Sequence, residues 1–285
     1  MQQTGQRNIA IVCNPLAGSG RATVLAEHLQ QALAARNIAH RIFIDDWPDS
    51  WQDFSDAWIV GGDGTLNYFI NRYPAFQLPL VIFNGGTGND FHWLLYGNKT
   101  LEEQLEIALA AEPKKVDAGR CNDRLFINGV GVGFEGEVAK ALTGKKKLSG
   151  KTSFLLMILR KVFSYRSKQY TIQSAEKNVT GRKLLIDVSN GRRAGGGFHI
   201  APAASADDGL LDVVIAESLS PLQRLRYLPV IEKGKHLSLP IICHFTTRQI
   251  TIKSDSVIQY HLDGEYVEAK QLDIEILAAR FLFRY

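Results

Sequence analysis

Between Asn8 and Pro113 short apolar runs alternate with amphipathic stretches, and this alternation constrains the fold more than any other feature of the chain. "NIAIVCN" (8–14) has the pattern of a buried strand. "GRATVLAEHLQQALAARN" (20–37) reads as a helix with Leu25, Leu29 and Leu33 on one stripe. "HRIFI", "AWIV" and "LPLVIFN" are further strand-like runs, and "TLEEQLEIALAAEP" is a second clear helix stopped by Pro113. Strands that alternate with helices imply a parallel sheet covered on both faces.

After about Asp117 the texture changes. "RLFINGVGVGF", "QYTIQSAEK", "RKLLIDVSN", "GFHIAPA", "LLDVVIAE", "RQITIKS", "SVIQYHLDG" and "QLDIEIL" read as strands joined by short links. Helical signals thin out to 134–143, 150–163 and 220–236. A run of strands at such spacing predicts a β-sandwich. The expected organisation is therefore an α/β domain over 1–117 and a β-sandwich over 118–277, with a tail at 278–285 that returns to the first domain.

In a parallel sheet, ligands bind beyond the carboxyl ends of the strands. Three glycine-rich segments fall at such ends: "CNPLAGSG" (13–20), "GGDGTLN" (61–67) and "NGGTGNDF" (84–91). Glycines there let backbone amides approach phosphate oxygens, and the helix that follows adds a positive dipole end. Thr65 and Thr87 add hydroxyl donors. Asp63 among the glycines fits a polyphosphate site in two ways: Mg²⁺ lies between the two, or the carboxylate accepts nearby amides and fixes the loop. The sequence reading assigns it to the metal. Two other segments are set aside. "GVGFEG" (131–136) matches a dinucleotide fingerprint but has no acid about 20 positions on, and "GKKKLSGKT" (144–152) has the wrong glycine spacing for a P-loop.

The net charge of +4 and the scattered Cys13, Cys121 and Cys243 bound the remaining choices. The charge is too small to argue for nucleic acid and suits an anionic ligand or membrane surface. The cysteines show neither metal spacing nor a disulfide framework, so a reducing, cytoplasmic setting is expected. The longest apolar run, "FLLMIL" (154–159), falls far short of the roughly 20 residues that span a bilayer. "TGKKKLSGKTSFLLMILRKVFSYRSK" (143–168) reads either as a core helix with a solvated basic loop or as an element that meets anionic lipid at the inner membrane surface.

The ordered set "GGDGT", "GTGND", "APAASADDGLLDV" and "HLDGE" resembles the diacylglycerol-kinase catalytic family, which includes bacterial lipid kinases and the sphingosine and ceramide kinases. The first motif is shared with NAD kinases and the phosphofructokinase-like fold. The resemblance runs from Asn14 to about Tyr285. It implies a nucleotide domain, a β-sandwich and an active site in the cleft between them. It implies transfer of the ATP γ-phosphate to a lipid alcohol with Mg²⁺, diacylglycerol being the default acceptor. Asn14, Gly61, Gly62, Asp63, Gly64, Thr65, Leu66, Asn67, Gly86, Thr87 and Asn89 would form the nucleotide site. Glu265, Asp263 and Asp63 would be catalytic, with the base undecided between Asp263 and Glu265. Asp208, with oxygens near Ser205 and Leu210, resembles a structural metal site.

His92 and Trp93 depart from the small and basic residues common after "NDF", which bears on the nucleotide pocket or the lipid entrance. Without the resemblance, "HLDGE" reads as a type I′ hairpin turn and "DDGLLD" as a turn that enters a strand. A homodimer, an NAD kinase-like activity and a silent nucleotide- or lipid-binding protein complete the expectations.

Overall fold

The computed structural model describes residues 7–143 and 151–285, and the chain divides into two compact units. The basic loop expected to meet lipid, with Lys145, Lys146 and Lys147, lies outside the described residues. One unit ends at Val116 and takes back Arg280–Tyr285; the other is Asp117–Ala279.

The first unit contains β1 (Asn8–Cys13), α1 (Arg21–Ala35), β2 (Ala39–Ile44), β3 (Asp56–Gly61), α2 (Asp63–Arg72), β4 (Leu80–Asn84), α3 (Asp90–Tyr96), α4 (Leu101–Ala110) and the start of β5 (Pro113–Cys121). β1 pairs in parallel with β2 and β3, and β3 with β4. β1 is buried along nearly its whole length and β3 along all of it, because helices cover both faces of a parallel sheet. On α1 the buried residues are Ala22, Ala26, Leu29 and Leu33, while Leu25 is half-buried. Thr100 and Glu103 close a capping box at the start of α4.

The second unit holds β6 (Arg124–Phe126), β7 (Gly129–Gly133), α5 (Phe134–Leu142), α6 (Lys151–Ser164), β8 (Lys168–Ser174), β9 (Asn178–Ser189), β10 (Leu211–Glu217), α7 (Pro221–Glu232), β11 (Ile242–Thr247), β12 (Gln249–Leu262) and β13 (Glu265–Arg284). The strand order is β11-β10-β9-β7-β12-β13, with β8 paired to both β9 and β12. Its core includes Val130, Val132, Ile186, Val188, Val213, Ile252, Tyr260 and Leu262, which point inward by strand alternation.

β13 passes into the first unit, where Phe283 pairs in parallel with Leu80. Arg284 Nε lies 2.5 Å from Asp56 Oδ1 there, and Asp56 is 1% exposed.

The expected strand "GFHIAPA" does not form. Phe198 and Ile200 are buried as a strand would bury them, but only an isolated bridge, Ala194 to Phe198, is made. Gly195, Gly196 and Gly197 all take positive φ and lead the chain in as an irregular loop.

Candidate functional site

In the first unit the glycine loops meet at the carboxyl ends of β1, β3 and β4. A Cβ on Gly62 would lie 2.4 Å from the Gly88 carbonyl oxygen, and one on Gly86 would lie 2.3 Å from Gly62 Cα. These two glycines let one loop rest directly on the other. A Cβ on Gly61 would meet the Thr65 side chain at 2.3 Å. Gly64 differs. It is exposed, in the first turn of α2, and among the described residues nothing beyond its own helix lies within 4 Å of where its Cβ would stand.

Asp63 fastens the contact from both ends. Its amide donates to the Gly88 carbonyl (3.1 Å), and its carboxylate accepts the amides of Asp90 (2.9 Å) and Phe91 (3.0 Å). The negative charge therefore stands at the N-terminus of α3, where a helix favours an anion. The sequence reading gave this acid to Mg²⁺; the structure uses both carboxylate oxygens to fix the loop, the second of the two roles foreseen.

Asn14 Nδ2 donates to Thr65 Oγ1 (3.3 Å), and its Oδ1 accepts the Leu16 amide (3.0 Å). Asn89 Nδ2 donates to the Gly86 carbonyl (3.0 Å). Leu66 and Asn67 are buried on the inner side of α2, so they support the loop from below, whereas Thr87 is exposed beside it. Sequence reasoning missed Arg21, which donates through Nη2 to the Gly86 carbonyl (2.7 Å) and through Nε to that of Gly18 (3.2 Å). A cation thus lies across two glycine loops. Its signal was its place immediately after "GSG".

His92 faces the interior. Its Nε2 is 3.0 Å from Gln104 Oε1, and burial lowers its pKa against the opposing hydrogen bond. The departure at this position is absorbed by α4 packing rather than by a ligand pocket.

In the second unit "HLDGE" is a hairpin. Asp263 (φ 48°) and Gly264 (φ 86°) are left-handed, and the ladder closes between Leu262 and Glu265. These are the two positive φ values a type I′ turn requires. The Asp263 carboxylate accepts the amides of Ile127 (2.8 Å), Asn128 (2.9 Å) and Gly129 (2.9 Å). It anchors the turn. Glu265, half exposed, is held only from one side, by Arg124 Nη2 at 2.8 Å from Oε2.

The "DDGLLD" loop is held by its own hydrogen bonds. Asp208 Oδ1 accepts the Leu210 amide (3.0 Å), and Ser205 Oγ donates to Asp207 Oδ1 (2.5 Å). Buried Asp117, another residue not foreseen, accepts the amides of Gly209 (2.7 Å) and Ala279 (2.6 Å). Among the described residues no group of three or more His, Cys, Asp or Glu side chains converges as metal ligands. The Asp208 carboxylate, which the resemblance links to a structural metal site, is exposed and is used here to hold the Leu210 amide.

The sequence profile of the diacylglycerol kinase catalytic domain matches residues 8–121, and that of the YegS C-terminal NAD kinase beta sandwich-like domain matches residues 128–280. The chain belongs to the diacylglycerol-kinase catalytic-domain family. Within it, the chain is 31% identical to a "Probable lipid kinase YegS-like" protein of Pseudomonas putida, over 74% of this chain and 70% of that one. It is 26% identical to the diacylglycerol kinase of Mycobacterium tuberculosis, over 90% and 88% of the two chains. Among solved structures, a diacylglycerol kinase of Bacillus anthracis superposes with a TM-score of 0.70 at 22% identity, covering 98% of this chain and 97% of that one. Yeast NADH kinase gives 0.50 at 13% identity, over 99% and 84%. At these identities the two superpositions establish a shared fold.

Proposed function

We propose that this family member is an ATP-dependent lipid kinase that transfers the γ-phosphate to a lipid hydroxyl, with diacylglycerol as the acceptor and phosphatidic acid as the product. The observation that carries the reading is the open face at Gly64. Packing explains Gly61, Gly62 and Gly86, but nothing among the described residues needs the absence of a side chain at 64. A phosphate approaching the positive end of α2 does need it. The exposed Thr87 hydroxyl and the Arg21 guanidinium supply donors on the neighbouring glycine loops.

Phosphoryl transfer rests mainly on positioning and charge neutralisation, with a base to receive the acceptor proton. Glu265 suits the base better than Asp263, because a base needs a lone pair directed at the substrate and Asp263 already holds three amides. Mg²⁺ is the usual companion of such a transfer. Asp63 offers it only oxygens that already secure α3.

The acceptor is a membrane lipid, so the enzyme has to meet a bilayer. No helix among the described residues is long and apolar enough to cross one. We assign the contact to the outer side of α6 and α7, where Phe163 is 62% and Leu222 75% exposed. Exposed Arg160, Arg166 and Arg226 flank them, and neither 157–168 nor 219–228 contains an acid. Buried Arg224 donates to the carbonyls of Val162 (2.8 Å) and Tyr165 (2.9 Å), which brings the first turn of α7 onto the last turn of α6.

The test is turnover of ATP and diacylglycerol by the parent and by Glu265→Gln. The variant should lose about 100-fold or more in kcat with ATP affinity unchanged. Parental turnover would remove Glu265 from the mechanism.

A further inference from the structure

The "GVGFEG" segment lacks the acid that a dinucleotide fingerprint requires, yet each of its glycines has a structural use. Gly133 (φ 82°) is the N-cap of α5, and a Cβ on Gly136 would lie 2.1 Å from the Gln259 carbonyl oxygen. The first turn of α5 therefore lies directly on β12. Gly131 is cross-strand neighbour to Asp187 on one side and to His261 on the other. A Cβ at 131 would stand 2.0 Å from Glu135 Oε2 and 2.3 Å from His261 Nε2. Glu135 and His261 occupy the room that a side chain at this position would take.

His261 then makes two contacts. Its Nε2 is 3.2 Å from Glu135 Oε2, and its Nδ1 accepts the Gly264 amide at 3.3 Å. The second contact assigns the tautomer, since a nitrogen that accepts carries no proton and leaves Nε2 as the donor to Glu135. The Gly264 amide has no place in the ladder, which closes between Leu262 and Glu265. The ring is thus a strut from α5 to the middle of the turn that presents Glu265. Behind Glu135, Asp187 is 1% exposed and takes the Ser189 hydroxyl on Oδ1 (2.5 Å). Burial and the Glu135 carboxylate hold the Asp187 carboxyl well above its ordinary range.

We propose that His261, braced by Glu135, is a positioning residue for Glu265: it fixes the Asp263–Gly264 turn and so the direction in which the base faces the acceptor hydroxyl. The proposal rests on Glu265 being the base. Second-layer hydrogen bonds that orient a reacting group act on turnover more than on cofactor binding.

Two substitutions separate the two contacts. His261→Gln places an amide nitrogen near Nε2 and keeps the bond to Glu135, but loses the acceptor for Gly264. His261→Asn places an oxygen near Nδ1 and keeps that acceptor. The experiment measures kcat, KM for ATP and melting temperature of both variants, of Glu265→Gln and of Glu265→Gln/His261→Gln. His261→Gln should lower kcat about tenfold or more with KM for ATP unchanged, and His261→Asn should recover to within about threefold of the parent. In the Glu265→Gln background His261→Gln should cost nothing further, because the strut then has no base to aim. Equal losses in the two His261 variants, or the same loss with and without the base, would reduce the ring to a packing element and overturn the proposal. Parental turnover in Glu265→Gln would remove the base and the proposal together. Loss in Glu265→Gln with parental turnover in His261→Gln would remove the proposal alone.

Discussion

At the scale of single residues, two glycines in the same motif should respond in opposite ways to one methyl group. At Gly62 a Cβ meets a carbonyl oxygen at 2.4 Å, so Gly62→Ala forces the two loops apart. The expected loss is about 1–3 kcal/mol of stability, as for other overpacked sites. At Gly64 the space is open and the backbone helical. Gly64→Ala should stabilise the fold by up to about 1 kcal/mol while it weakens ATP binding. Thermal denaturation and calorimetric titration of ATP check both, and unchanged ATP affinity in Gly64→Ala would dissociate that glycine from the phosphates. Asp187 gives a pH-dependent case. Its carboxyl titrates well above the ordinary range because of burial and then Glu135, so the folded chain keeps a proton that the unfolded chain releases. Stability is then lost as pH rises from the ordinary carboxyl range toward the folded titration point, and the loss persists above it. Asp187→Asn has no carboxyl to titrate and carries no such penalty. Its melting temperature should exceed the parent's at pH 8, and the difference should shrink toward about pH 4. A difference that does not vary with pH would contradict the raised titration of Asp187.

At the scale of elements, α6 and α7 pack half-buried Leu225 and Leu228 against buried Ile158 and Val162 and leave Phe163 and Leu222 outside this cluster. If that outer side meets lipid, the double substitution Phe163→Ser and Leu222→Ser should weaken binding to phosphatidylglycerol vesicles by more than about tenfold, since each side chain contributes about 1.5–3 kcal/mol when buried. Activity on a short-chain, water-soluble acceptor should be spared. Co-sedimentation equal to the parent's would place the membrane contact elsewhere. The strands and helices themselves were largely legible in local patterns: α1, α4 and β3 follow from the periodicity of Leu29, Leu33 and the "AWIV" run. "GFHIAPA" was misread because Phe198 and Ile200 alternate like strand residues, and periodicity reports burial, not a pairing partner. Glu135 and His261 were illegible as a pair. They stand 126 positions apart, and no window pattern links a helix start to a distant hairpin.

At the scale of the whole molecule, the motif set identified the family, while the division of labour inside each motif appeared only in three dimensions. "GGDGT" looked like one phosphate cradle, but Gly62 and Asp63 lock a neighbouring loop and Gly64 alone faces outward. "DGE" looked like two interchangeable acids, but Asp263 is bound to three amides and Glu265 stands half exposed. In both motifs the aspartate builds the backbone that a neighbour uses, a distinction that depends on hydrogen bonds and not on residue type. The function proposed for the whole molecule is phosphorylation of a lipid alcohol. The most direct measurement is transfer of label from γ-labelled ATP to separate samples of diacylglycerol, ceramide, sphingosine, phosphatidylglycerol and NAD, with Glu265→Gln as the blank. Labelled lipid is expected, greatest with diacylglycerol and lower by about 100-fold or more in the variant; label in NAD alone, or in none of the five, would contradict a lipid kinase.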